Sequence, residues 1–250
     1  MRHIRYLILL YILFTFHSSN GQKIAELKSF LNQKSLQKVE QFLRGYSTGT
    51  HFTHTVFSRQ IIDSFYETSI SFESFTTKKK DRSDLDEFNL YLLRSNDTIF
   101  YYRLDDPSHE NKTRVIADYV DSSLLNVLET SYLKTYAISI NQSDFFIDTV
   151  IYGSGCGFAG INPEYRKRLD RLIKDKNIAA LDKWLCSTTT EIQAYAVDGF
   201  YQLKKNGYNL TSRELQLVNL IKNKKGKIRT CSGCIYTDDL IGEILKDFNF

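Results

Sequence analysis

Proline, histidine and methionine are scarce in this chain: two Pro, five His and one Met in 250 residues. Two Pro beside 12 Gly exclude a collagen-like rod, and charged residues at 25% with apolar residues at 42% exclude a disordered polyelectrolyte. There is no His-Glu-x-x-His, and no His follows His109, so the sequence shows no metallohydrolase ligand set. His51 and His54 stand three apart in a stretch that reads as loop or extended chain, where such positions face opposite sides. No Gly-x-Ser-x-Gly is present, which removes the usual nucleophile turn of serine hydrolases. The longest apolar run, residues 6–16, falls short of the about 20 residues a membrane helix needs.

That short run has its own meaning. Arg2 and Arg5 flank its start, no Asp or Glu precedes Glu26, and Ser18, Ser19 and Gly21 follow it. This is the layout of a secretory signal, so residues 1–21 are read as an export signal and the mature chain as periplasmic or extracellular. No later segment is apolar enough to span a membrane.

What is abundant is aromatic: 17 Phe and 16 Tyr promise a substantial core. Residues 23–44 carry Ile24, Leu27, Phe30, Leu31, Val39, Phe42 and Leu43 largely at helical spacing, which predicts one or two amphipathic helices. The period then changes, and residues 70–75, 88–93 and 99–104 read as strands. The last two are joined by a turn at Ser95, Asn96 and Asp97. Residues 114–120 suit a strand or short helix, residues 122–134 a helix, and residues 145–152 a strand. Four Gly between Gly153 and Gly160 mark a domain boundary, dividing residues 22–160 from residues 161–250. After Pro163 the pattern is helical almost to the end. Thr188 with Glu191, and Thr211 with Glu214, both match the capping-box spacing. The expected fold is therefore α+β: an N-terminal helix and a small antiparallel sheet, then an all-helical C-terminal domain.

Within that second part, Leu181 to Leu185, Gln193 to Val197 and Leu203 before Gly207 resemble the paired helices of HEAT-like repeats. The resemblance covers residues 163–223 and implies a helical cap packed on the N-terminal sheet. The whole chain also resembles exported bacterial proteins of unassigned function, which implies no activity.

The glycine run contains Gly155, Gly157 and Gly160 at dinucleotide-binding spacing. The expected helix starts only near Pro163, however, and no second parallel strand with an acidic residue follows. A tightly turned junction is the reading, and no cofactor is expected. Cys156, Cys186, Cys231 and Cys234 are more informative. In an oxidising compartment Cys156, Cys231 and Cys234 are disulfide candidates, with three complete pairings open to the four cysteines. A bridge from Cys156 to either C-terminal partner closes about 75 residues, which the chain-entropy model values at about 4 kcal/mol. Cys186, in an apolar helix, reads as a buried thiol.

The alternative function is thiol–disulfide exchange or a cysteine-dependent enzyme. Lys222, Lys224, Lys225, Lys227 and Arg229 precede Cys231 closely, and nearby cations favour thiolate. A thioredoxin fold is excluded, because 16 residues after Cys234 are too few and neither Pro107 nor Pro163 follows the pair. A Cys–His couple of Cys156 with His51 or His54 stays open, since such partners meet in space. The five cations also form a candidate patch for an anionic partner. The reading is thus an exported, non-catalytic binding or structural protein, whose partner is a protein or an anionic envelope component and not nucleic acid.

Overall fold

The computed structural model describes residues 19–46, 52–77, 83–107 and 113–250. Residues 1–18 of the expected export signal lie outside the described residues, as do His51 and His109. Two helices come first, α1 (Ser19–Leu31) and α2 (Leu36–Tyr46). A five-stranded antiparallel meander follows: β1 (Phe52–Ile62), β2 (Phe65–Thr77), β3 (Ser83–Ser95), β4 (Thr98–Asp106) and β5 (Arg114–Val120). The β3–β4 turn falls on Asn96, whose φ of 50° suits Asn better than most side chains.

Strand alternation decides what each face of this sheet meets. Ile70, Phe72, Phe88, Leu90, Leu92, Tyr102 and Leu104 pack with Leu27, Leu31, Val39, Phe42 and Leu43 of the two N-terminal helices. On the other face, Ile61, Phe65, Leu93 and Phe100 join a larger core built from the rest of the chain. Helix α3 (Ser122–Tyr136) starts that part, its first amides held by the Asp121 carboxylate, and buries Leu128, Tyr132 and Tyr136.

Residues 145–151 are not a strand; only β6 (Tyr152–Cys156) is. Four helices follow: α4 (Glu164–Lys174), α5 (Ile178–Leu185), α6 (Thr190–Lys205) and α7 (Ser212–Lys222). Helix α6 is buried almost all round from Thr190 to Phe200, the pattern of a helix at the centre of a core. Thr211 and Glu214 form the expected capping box on α7. The matching pair at α6 does not: its N-cap is Thr189, without a side-chain cap bond, and Glu191 points elsewhere.

The C-terminal part is not all-helical. Strands β7 (Lys227–Gly233) and β8 (Ile235–Leu240) form an antiparallel hairpin, and β6 adds parallel to β7 to make a three-stranded sheet. A short helix, α8 (Ile241–Leu245), returns to the core. The physical reason lies in Ile228 and Thr230. Both are β-branched and buried at alternate positions, a period of two that the neighbouring charges Lys227 and Arg229 obscure. Gly233 closes the hairpin with φ of 56°. Among the described residues, the antiparallel sheet that follows the first two helices has five strands, larger than the small sheet expected.

Candidate functional site

Two features stand out once the elements are in place. The first is a charge cluster buried between the large sheet and the helices. Arg59 on β1 and Glu67 on β2 are register partners, and both are on the face turned toward α6. The Arg59 side chain is 1% exposed, with ion pairs to Glu67 and Glu191, which are 4% and 0% exposed. Every remaining acceptor has a donor. Glu67 takes the Phe146 amide at 3.1 Å, and Glu191 takes the Arg229 amide at 3.0 Å. Burial alone would lower the Arg59 pKa, but the two carboxylates reverse this and hold it above its ordinary value.

Lys224 completes the cluster. It is 6% exposed and donates to Gln193 Oε1 at 2.8 Å. Burial, reinforced by Arg59, brings its pKa down to about 7, against the pull of Glu67 and Glu191. The backbone locks the same junction. Gln60 N–H donates to the Lys225 carbonyl at 2.9 Å, and the Gly226 position has φ of 100°. A Cβ there would lie 2.5 Å from the Ser58 carbonyl oxygen. No local pattern points to Arg59 or Glu67, and spacing alone reads Glu191 as a capping residue.

The second feature is the three-stranded sheet. Cys156 on β6 and Cys231 on β7 are bridged, their Cα atoms 5.6 Å apart. The bridge lines a groove of about 570 Å³ together with Val150, Ile151, Ile161, Pro163 and Tyr236. Ile151 and Tyr236 continue into a second groove of about 270 Å³ with Arg229, Thr230, Thr237 and Asp238. The loop and strand that carry these grooves also expose apolar side chains. Phe158 is fully exposed at the tip of the tight Cys156–Ile161 loop, and Ile161, Ile235, Tyr236 and Leu240 are all more than half exposed. Strand β8 is an edge among the described strands. Below it, Thr230 and Thr237 hydroxyls bind the Asp239 carboxylate and hold its pKa below the usual range.

The other expected site residues are divided. Cys234 is exposed and free at the hairpin tip, whereas Cys186 is free and buried. Burial pushes the Cys186 thiol up despite Arg213 beside it. Of the five cations, Lys224 is internal and Lys222 donates to the Phe248 carbonyl. Arg229 lies over Phe57, 4.2 Å from the ring centroid. Lys225 is exposed and Lys227 half-buried. Cys156 is in the bridge and so is no free nucleophile for His54 on β1. Among the described residues, no group of three His, Cys, Asp or Glu is placed to hold a metal ion, and no helix is long and apolar enough to cross a membrane. The disulfide is compatible with an exported protein. In comparisons with known proteins, no family model, curated protein or solved structure matches the chain.

Proposed function

We propose that this is an exported, non-catalytic protein that acts by binding another protein through the face of its three-stranded sheet. The observation that carries the reading is the cluster of exposed apolar side chains around the bridged groove. Ile161 and Tyr236 line the groove, while Phe158 is exposed on the loop that leads to Ile161 and Ile235 is exposed at the start of β8. Single exposed apolar residues are ordinary on a protein surface, but a contiguous group beside a groove marks an interaction site. The edge strand β8 adds the second requirement, because its outer backbone groups accept an extended segment as a further strand. The partner that fits is a protein presenting an extended, apolar stretch. The buried charge cluster supports the same reading as scaffolding, since it fixes the small sheet against the large one.

The test is site-specific cross-linking of the whole chain in its native compartment, with a photoreactive residue at Tyr236, at Phe158 or, as a remote control, at Leu133. The same partner captured from both groove positions, absent at Leu133 and lost in a Phe158→Ser/Ile235→Ser variant, is the expected result. Identical products from all three positions, or none from the groove positions, refute the binding face.

A further inference from the structure

Four cysteines occur in the chain, and three of them gather at one end of the three-stranded sheet. Cys156 ends β6, Cys231 lies in β7, and Cys234 sits in the two-residue turn that joins β7 to β8. The register shows how close the third sulfur comes. Cys156 pairs across the parallel ladder with Gly233, the residue directly before Cys234, and Gly157 N–H donates to the Gly233 carbonyl at 2.7 Å. One ladder spacing plus one Cα step places the Cys156 and Cys234 Cα atoms within about 9 Å. The turn carrying Cys234 is exposed, so closing the rest of that gap disturbs no core packing. The bridge itself lines the open groove, and Cys234 is a free, exposed thiol.

We infer that Cys156, Cys231 and Cys234 form a three-sulfur exchange site, in which the bridge moves from Cys156–Cys231 to Cys156–Cys234 without any change in redox state. The deprotonated Cys234 sulfur attacks Cys156 Sγ, forming the new S–S bond. The Cys156–Cys231 bond breaks and its electron pair leaves on Cys231 Sγ. The proton lost to solvent by Cys234 is regained by Cys231, so one disulfide and one thiol are present before and after. No external oxidant or reductant enters. The consequence is positional: the thiol passes from the hairpin tip into the groove, where its thiolate is available to attack a ligand's disulfide, forming a mixed disulfide and releasing the ligand's other sulfur as a thiolate. This is independent of the binding partner proposed above, because the exchange needs only the chain itself.

The test is disulfide mapping by mass spectrometry. The whole mature chain is equilibrated at pH 8, quenched in acid and digested with an acid-active protease. Wild type is expected to yield both Cys156–Cys231 and Cys156–Cys234 linkages, and Cys231→Ser to form the Cys156–Cys234 bridge. Cys234→Ser is expected to yield only Cys156–Cys231. Alkylation of Cys186 reports unfolding, since that thiol is buried in the folded chain. If Cys231→Ser exposes Cys186, the wild-type map decides alone. The Cys156–Cys234 linkage in wild type, or in a Cys231→Ser variant with Cys186 still protected, supports the inference. Its absence from wild type and from any folded Cys231→Ser overturns it.

Discussion

Replacing Arg59 by Met tests the central energetic claim about this structure, that two sheet strands and the helical core are joined by a buried ionic cluster. The methionine fills a similar volume but removes the cation that faces both Glu67 and Glu191. The two carboxylates keep the Phe146 and Arg229 amides as donors, while the buried Lys224 donates to Gln193. Removing one partner of a buried pair leaves an uncompensated charge in low dielectric, an effect of about 3–5 kcal/mol. For a chain of this size each kcal/mol moves the melting temperature by roughly 2–4 °C, so Arg59→Met is expected to melt about 6–20 °C below wild type at pH 7. The assay is thermal unfolding followed by near-ultraviolet circular dichroism, which reports the packed aromatics. The triple variant Arg59→Met/Glu67→Leu/Glu191→Leu is the control. It removes all three charges at once, and its expected melting temperature lies closer to wild type than that of the single variant. A single variant within 2 °C of wild type, or a triple variant lower still, refutes the account.

Four further variants probe the same structure. Lys224, with its pKa brought down from an ordinary 10.5 to about 7, binds fewer protons folded than unfolded between those values, so its contribution to stability rises with pH across that window. Wild type is expected to gain stability from pH 7 to 9 relative to Lys224→Met, measured by urea unfolding at each pH; parallel pH profiles contradict the lowered Lys224 pKa. Gly226→Ala combines a φ of 100° with a Cβ placed 2.5 Å from the Ser58 carbonyl oxygen and 2.6 Å from Arg59 Cα. Strain of this kind is about 1–3 kcal/mol from φ alone, so a drop in melting temperature below 2 °C is the refuting result. At the helix starts, Thr211→Ala is expected to cost about 1 kcal/mol by opening the capping box. Thr189→Val, which removes a buried hydroxyl making no hydrogen bond among the described residues, is expected to leave stability unchanged or raise it; chemical denaturation of the two variants distinguishes the sites.

The contrast between Thr211 and Thr189 shows where sequence reading works and where it stops. Both stand three residues or fewer before a glutamate at a helix start. Glu214 reaches back to its own N-cap, a bond within four residues, and is legible from spacing. Glu191 turns instead to Arg59, 132 positions away, and no local pattern carries that information. The same division runs through the cysteines. Composition and context identified bridge candidates, but the choice of Cys231 over Cys234 depended on β6 lying parallel to β7. That ladder joins residues 75 apart in sequence.

The sequence alone determined the amphipathic helices, the β3–β4 turn at Asn96 and the buried character of Cys186. Each depends on periodicity or residue chemistry within one element. It failed at β7 and β8, where Ile228 and Thr230 alternate with Lys227 and Arg229, and Ile235 to Thr237 runs into two aspartates, each too short a signal to separate strand from loop. Only the tertiary structure decided that these strands exist, that they meet β6, and that Arg59, Glu67, Glu191 and Lys224 share one buried site. A charge becomes internal because distant elements close over it, and a strand becomes stable because another strand satisfies its backbone. Both conditions belong to the folded chain as a whole.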